Sequence, residues 1–212
     1  MRRHNRERVV IAVPKGRILE QLSQRLQRAG IPADALTANS RKLVREDEKS
    51  GLRYLLLKPD DVPTYVEYGA ADLGVVGRDV LMERNYDVLA PVDLDIGKCR
   101  MMVCGLPDES LSGERERPLR VATKFPQIAE RHFRTKGIPV ELIFCQGSVE
   151  LAPLTGLADV IVDLVETGET LRQNGLVTLD KVADISAVLI ANRAGLKLRR
   201  AAIQPILDAL RG

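Results

Sequence analysis

Asp163, Thr167, Gly168 and Thr170 fall in one stretch, Gln146 to Asn174, and their types and spacing favour one kind of chemistry. Ala158 to Val165 is apolar apart from Asp159 and Asp163 and rich in β-branched residues, which predicts a strand buried on both faces. Such a strand rarely holds an idle carboxylate. Thr167-Gly168-Glu169-Thr170 follows, with a glycine for a tight turn and threonines able to cap a helix over Leu171 to Asn174. Backbone N–H groups at a helix start, joined by two hydroxyls, hold a phosphate dianion without any lysine. An ionised Asp163 beside that cradle accepts two hydrogen bonds at once and suits vicinal hydroxyls, with Glu150 in Gly147-Ser148-Val149-Glu150 as a second clamp. The same residues also read as an ordinary helix cap and a strand-end turn, and the stretch alone does not decide between the two.

Basic residues recur at two other turns. Val9 to Val13 is an apolar run, Pro14-Lys15-Gly16-Arg17 breaks it, and Ile18, Leu19, Leu22, Leu26 and Ala29 then repeat at helical spacing up to Gly30-Ile31. Lys15 and Arg17 at a helix start oppose the macrodipole, so they are explained either by an anion bound there or by a solvated basic turn. Ser40-Arg41-Lys42-Leu43-Val44 and Leu52 to Leu57 flank a charged turn and predict a hairpin whose first strand starts with Arg41 and Lys42.

These groups need a scaffold, and the remaining elements supply it. Pro59-Asp60-Asp61 caps a helix through Val62, Tyr65, Val66 and Tyr68, and a strand over Ala71 to Gly77 follows. A helix over Arg78 to Asn85 and a strand over Asp87 to Leu94 close the first half, and Lys98 to Leu106 is a further apolar run. After a polar loop from Pro107 to Pro118 that includes Gly113, the pattern restarts. Leu119 to Thr123 predicts a strand, and Thr123-Lys124-Phe125-Pro126 leads into a helix with Ile128, Ala129, His132 and Phe133 that stops at Gly137-Ile138. Gly69-x-Ala71-Asp72-Leu73-x-Val75 is echoed by Gly156-x-Ala158-Asp159-Val160-x-Val162. Two similar α/β lobes are expected, 1–94 plus 186–212 and 95–185, with a cleft between them as the site. Val182 to Ile190 is β-prone, and Ala194 to Leu210 predicts one basic amphipathic helix returning to the first lobe.

Composition narrows the function. With 212 residues and 45% hydrophobic content the chain can bury a core, while a net charge of +3 and 3% aromatics offer no platform for nucleic acid. No apolar run reaches the length of a membrane span, and Met1 to Arg8 is not followed by a leader-like apolar region, so a cytoplasmic protein is expected. The cysteines, Cys99, Cys104 and Cys145, lack Cys-x-x-Cys spacing and read as core thiols. With only His4 and His132 present, a histidine triad or metal cluster is not expected, and catalysis must use other groups.

With these pieces in order, the chain resembles the short form of ATP phosphoribosyltransferase, the family that opens histidine biosynthesis. The resemblance covers nearly everything after Glu7. It is carried by Lys15-Gly16-Arg17-Ile18-Leu19, Ser40-Arg41-Lys42-Leu43, Asp61-Val62-Pro63-Thr64-Tyr65-Val66, Gly69-Ala70-Ala71-Asp72-Leu73-Gly74, and Gly147 to Leu171 with its Glu-Leu-Ala-Pro and Asp-Leu-Val-x-Thr-Gly-x-Thr cores. It implies a two-lobed fold like the type II periplasmic binding proteins. Thr167, Gly168, Glu169, Thr170 and Leu171 would hold the 5-phosphate of phosphoribosyl pyrophosphate, and Glu150 and Asp163 its ribose hydroxyls. Arg17, Arg41 and Lys42 would act on the reacting phosphates, and Lys15, Gly16, Asp72 and Gly74 would lie at the ATP site. Glu166 and Glu169 are acidic where relatives often carry small or neutral residues, so their side chains should turn to solvent.

The resemblance further implies that N1 of ATP's adenine displaces pyrophosphate at the anomeric carbon, with Mg2+ on the leaving group and no strong base. A solute-binding protein of the same fold is one rival. A conventional nucleobase phosphoribosyltransferase is another, although that family pairs two adjacent acidic residues where Asp163 is followed by Leu164. Long forms of the family append a histidine-binding domain, whereas here the sequence stops at Gly212. The expectation is a homo-oligomer when alone and a hetero-oligomer with a regulatory subunit resembling histidyl-tRNA synthetase.

Overall fold

The computed structural model describes residues 8–112 and 116–211. The N-terminal stretch with His4, Gly113 of the polar loop and the terminal Gly212 lie outside the described residues. The chain divides into two compact units, Met1–Gly97 with Ser186–Gly212, and Lys98–Ile185. In chain order the elements are β1 (Val9–Pro14), α1 (Arg17–Arg28), α2 (Asp34–Thr37), β2 (Val44–Asp47), β3 (Leu52–Leu57), a 3-10 turn (Pro59–Asp61), α3 (Val62–Glu67), β4 (Leu73–Gly77) and α4 (Arg78–Glu83). There follow β5 (Val88–Gly105), β6 (Leu119–Thr123), α5 (Pro126–Thr135), β7 (Val140–Phe144), α6 (Leu151–Leu154), β8 (Val160–Val165), α7 (Glu169–Gln173), β9 (Val177–Asn192), α8 (Arg193–Leu198) and α9 (Arg200–Arg211). The fold is mixed α/β, and the chain passes from one unit to the other within β5 and again within β9.

In the first unit the strands run β2-β3-β1-β4-β9, with β3, β1 and β4 parallel and β2 and β9 antiparallel to their neighbours. Alternation along β1 decides the layers. Val9, Ile11 and Val13 join Leu22 and Leu26 of α1 and Ile203, Leu207 and Leu210 of α9 in one core. Ala12 faces the other way, into a second core with Val62 and Val66 of α3 and Val80 of α4. Gly74 is what allows α3 to lie on β4, because a Cβ there would sit 2.7 Å from Val66 and 2.9 Å from Val62.

In the second unit the order is β5-β8-β6-β7, with β6 parallel to both β7 and β8. The echo in the sequence has a physical meaning here. Asp72 accepts from the Val10 N–H at 2.9 Å, and Asp159 accepts from the Arg120 N–H at 2.9 Å, so each carboxylate ties the start of one parallel strand to its neighbour. Arg199 pairs with Asp72, and Arg117 and Arg120 pair with Asp159. The helix ends match as well. Ile31 donates to the Leu26 carbonyl and Ile138 to the Phe133 carbonyl across left-handed Gly30 (φ 76) and Gly137 (φ 68), which closes each helix on an apolar contact.

Four sequence expectations need correction. The strands expected separately over Asp87 to Leu94 and Lys98 to Leu106 are one strand, β5, which turns through left-handed Asp95 (φ 57) and Gly97 (φ 63) without ending. The single helix expected over Ala194 to Leu210 is broken at Arg199 (φ -118, ψ 25), whose guanidinium is held by Asp72 and the Arg8 carbonyl. Arg41 and Lys42 precede the hairpin strand, which begins at Val44. The helix expected over Arg78 to Asn85 ends at Glu83. Among the described residues no helix is long and apolar enough to cross a membrane.

Gly74→Ala tests the α3 contact. The added methyl meets two valine side chains on a packed helix, so stability should fall by about 1–3 kcal/mol. The check is the urea midpoint, which should drop with an unchanged denaturant slope.

Candidate active site

Parallel strands gather the loops that follow them at their carboxyl ends, where α/β proteins bind ligands. In the second unit β6 is followed by Lys124, β7 by the 146–150 turn, and β8 carries Asp163 before running into the 166–170 turn. Thr123 is in register with both Phe144 and Val162, so these three groups emerge at one level of the sheet. Thr123 is fully buried, donates its hydroxyl to the Val162 carbonyl at 2.7 Å and accepts from the Phe125 N–H at 2.9 Å. It thereby ties the backbone around Lys124 to the residue before Asp163.

Asp163 is half-buried and accepts from the N–H of Leu164 at 2.8 Å. Burial pushes its carboxyl up to about 6, the Leu164 amide opposes this, the charge of Glu150 adds to it, and the Lys124 ammonium works against it. Burial, followed by the charges of Asp163 and Glu150, lifts the Cys104 thiol to about 12, which makes it an inert core group. All three cysteines are free. Glu150 opens α6 just after Ser148, a non-glycine residue at φ 50. That left-handed conformation costs roughly 1–2 kcal/mol, and strain of this kind concentrates at functional turns.

In the 166–170 turn the cap position falls on Gly168 (φ 79), which has no side chain, and not on a threonine as the sequence predicts. Thr167 contributes one long contact, its hydroxyl accepting from the Glu169 N–H at 3.4 Å. Leu171 anchors the turn in the core with Val165 and Leu176. Thr170 is exposed, and Glu169 lies on its own helix, bonded to Arg172 and Gln173, while Glu166 is also exposed. The acidic side chains therefore leave the turn to its backbone and hydroxyls.

In the first unit, Pro14 is in register with Leu57, and Lys15 donates its N–H to the Leu57 carbonyl at 3.0 Å. The Leu56 N–H donates to the Leu43 carbonyl at 2.8 Å, which brings Arg41 and Lys42 to the same end of the sheet. Lys15, Arg17, Arg41, Lys42 and Lys58 are exposed there together. Gly16 (φ 97) makes the turn from β1 into α1, a conformation that L side chains rarely adopt. Asp72 and Gly74 are not brought to this end. Asp72 precedes β4 opposite Val10, roughly 15 Å from Lys15 along β1, with its carboxylate held by the Val10 amide and Arg199.

Sequence reasoning missed Lys124 as a site residue, although it follows β6 and precedes a helix as Lys15 follows β1 and precedes α1. Thr123, Ser148 and Lys58 carried no local signal. A cavity of about 470 Å³ lined by Glu130, Arg134, Gly137 and Val140 lies at the amino end of β7, away from these groups.

The fold is that of a mixed α/β protein, with Asp163, Glu150 and Lys124 gathered at strand ends in one unit and exposed cations at strand ends in the other. The family described as HisG: ATP phosphoribosyltransferase matches residues 58–212. The ATP phosphoribosyltransferase of Sorangium cellulosum is 54% identical over 96% of this chain and 94% of its own length. ATP phosphoribosyltransferase 2 of Geobacter sulfurreducens is 49% identical over 95% of this chain and 96% of its own. The solved ATP phosphoribosyl transferase (HisG:HisZ) complex from Thermotoga maritima is 34% identical, with a TM-score of 0.79 over 95% of this chain and 96% of that one. The chain belongs to the ATP phosphoribosyltransferase family and matches its short form.

The raised Asp163 gives a pH test. Between about 4, the ordinary aspartate value, and about 6 the folded protein keeps a proton that the unfolded chain has lost, so stability falls as pH rises through that window. Asp163→Asn removes the effect. Its stability relative to the parent should rise from pH 4 to pH 7 by on the order of 2 kcal/mol, measured by urea unfolding at both pH values.

Proposed function

We propose that the two units divide the work of the transfer, one holding phosphoribosyl pyrophosphate and the other its leaving group and ATP. The protein is an ATP phosphoribosyltransferase, a glycosyltransferase that performs the first step of histidine biosynthesis. What carries the division is the gathering of Lys124, Glu150, Asp163 and the 166–170 turn at one set of strand ends. In this reading Thr167 to Leu171 bind the 5-phosphate through backbone N–H groups and hydroxyls, and Asp163 and Glu150 accept from the ribose hydroxyls. Arg17, Arg41 and Lys42 stabilise the departing pyrophosphate, and Lys15 and Gly16 lie against ATP. Asp72 and Gly74 serve the fold instead, which their contacts with Arg199, Val10 and α3 support.

The family resemblance supports treating the units as lobes like those of type II periplasmic binding proteins. N1 of adenine attacks the anomeric carbon as the bond to pyrophosphate breaks. The nitrogen already carries its lone pair, so the protein aligns two large anions and stabilises the charge that leaves. Magnesium binds through one or two carboxylates together with substrate phosphates. Glu150 and Asp163 are given to the ribose hydroxyls, and the described residues contain no group of three or more His, Cys, Asp or Glu that would cage an ion alone, so the ion would be held mainly by the substrate phosphates. When bound, the ion would neutralise part of the pyrophosphate charge. Use of ATP and phosphoribosyl pyrophosphate supports a cytoplasmic location.

Pyrophosphate release should require ATP, phosphoribosyl pyrophosphate and magnesium together. Arg41→Ala should lower kcat about 10²- to 10³-fold, whereas Asp163→Asn should chiefly raise KM for phosphoribosyl pyrophosphate. Identical kinetic patterns in the two variants would sink the division of labour.

The Thermotoga maritima complex pairs its catalytic chain with HisZ. We extend that pairing to this chain, with a homo-oligomer when alone and histidine acting through the partner. An effector shifts an equilibrium only through a site that binds it differently in two states. Calorimetry should show no histidine binding to the chain alone, and inhibition should appear only in the hetero-complex. Binding together with inhibition in the isolated chain would refute this.

A further inference from the structure

Arg45, the second residue of β2, spends its guanidinium on its own backbone. Nη1 donates to the Leu36 carbonyl at 2.6 Å and the Ala35 carbonyl at 3.2 Å. Nη2 donates to the Ser40 carbonyl at 2.7 Å, and Nε to the Lys42 carbonyl at 3.4 Å. These carbonyls span the stretch from α2 to the start of β2, which has no regular structure between Ala38 and Leu43. One planar fork thus gathers both ends of an irregular segment, something a lysine ammonium, with a single nitrogen, cannot do at four separated oxygens. Two other contacts complete the hold, Lys42 N–H to Ser40 Oγ at 3.2 Å and Leu56 N–H to the Leu43 carbonyl. Arg41 and Lys42 lie in this exposed segment.

A cation meant for substrate would keep its donors free, and Arg45 does not. Among the described residues it meets carbonyl oxygens and no carboxylate. We propose that Arg45 is a positioning residue for the transfer, fixing the segment from Ser40 to Lys42 so that Arg41 and Lys42 are set for the leaving pyrophosphate before substrate arrives. This rests on the assignment of Arg41 and Lys42 to the leaving group. The segment's order is established on folding, and misplacement of a charge by about 1 Å can cost 10²-fold in rate.

The test compares Arg45→Met and Arg45→Lys with Arg41→Ala, Lys42→Ala and the Arg41→Ala/Arg45→Met double variant. Both Arg45 variants should lower kcat about 10- to 100-fold with little change in KM for either substrate. Lysine should not rescue, since the fork and not the charge is required. In the Arg41→Ala background, Arg45→Met should cost less than it does alone. Independently of activity, trypsin should cleave the native variants after Arg41 and Lys42 several-fold faster than the parent, with the thermal midpoint nearly unchanged. Unchanged kcat, full rescue by lysine, additivity with Arg41→Ala or unaltered cleavage each overturns the proposal. If Arg41→Ala and Lys42→Ala themselves leave kcat intact, the leaving-group assignment fails and Arg45 falls with it. If they are slow while the Arg45 variants are not, only the Arg45 inference is lost.

Discussion

In each unit an aspartate ties the amino ends of one parallel strand pair together, and the loops at the far end of those strands are placed from there. Parallel strands lack the tight hairpin that helps fix antiparallel register, and in two of the parallel pairs here a side chain adds a constraint. Asp72 supplies it between β1 and β4, and Asp159 between β6 and β8. Each carboxylate is neutralised by arginine, Arg199 in one case and Arg117 with Arg120 in the other. The hydrogen bonds to Arg117 hold the carboxyl of Asp159 well below the usual carboxylate range, and the Arg120 amide adds to that although burial acts against it. With the amino ends locked, Lys15 and Lys124 follow at the other end of the leading strands by the length of β1 and β6 alone.

Asp159 and Asp163 of the second unit differ in environment. Asp159 stabilises because arginines and an amide meet it, whereas Asp163 sits on a mostly buried strand with one amide for company. A folding criterion alone would place an apolar residue at Asp163, as at its strand neighbours Val162 and Val165. The strained Ser148 belongs to the same pattern. Local cost concentrated at neighbouring loops agrees with the binding role proposed for this end of the sheet.

The first unit presents exposed cations at one end of its sheet. Exposed charges at one sheet end interact weakly with each other in water, and they become effective against a polyanion when several converge from fixed backbone positions. That fixing comes from backbone bonds, Lys15 to Leu57 and Leu43 to Leu56, and from the guanidinium of Arg45. In the proposed transfer, alignment of charge would stand in for general acid–base groups.

The sequence by itself determined the α/β class, the strands β1, β6 and β8 nearly to their ends, the 166–170 turn and the internal repeat. Those signals are local: apolar runs, a glycine needing positive φ, and a motif that recurs. It also carried the family, through ordered motifs whose types leave few alternatives. Tertiary structure alone decided what distant partners do. Asp72 reads from sequence as a site residue, but Arg199, far along the chain, takes its carboxylate and breaks the last helix in doing so. β5 runs through the break expected between Leu94 and Lys98, with positive φ at Asp95 and Gly97 inside the strand, and β9 extends over Val177–Asn192, beyond the Val182 to Ile190 expected for it. The roles of Thr123 and Lys124 depend on a register between strands separated in sequence, which no window of residues contains.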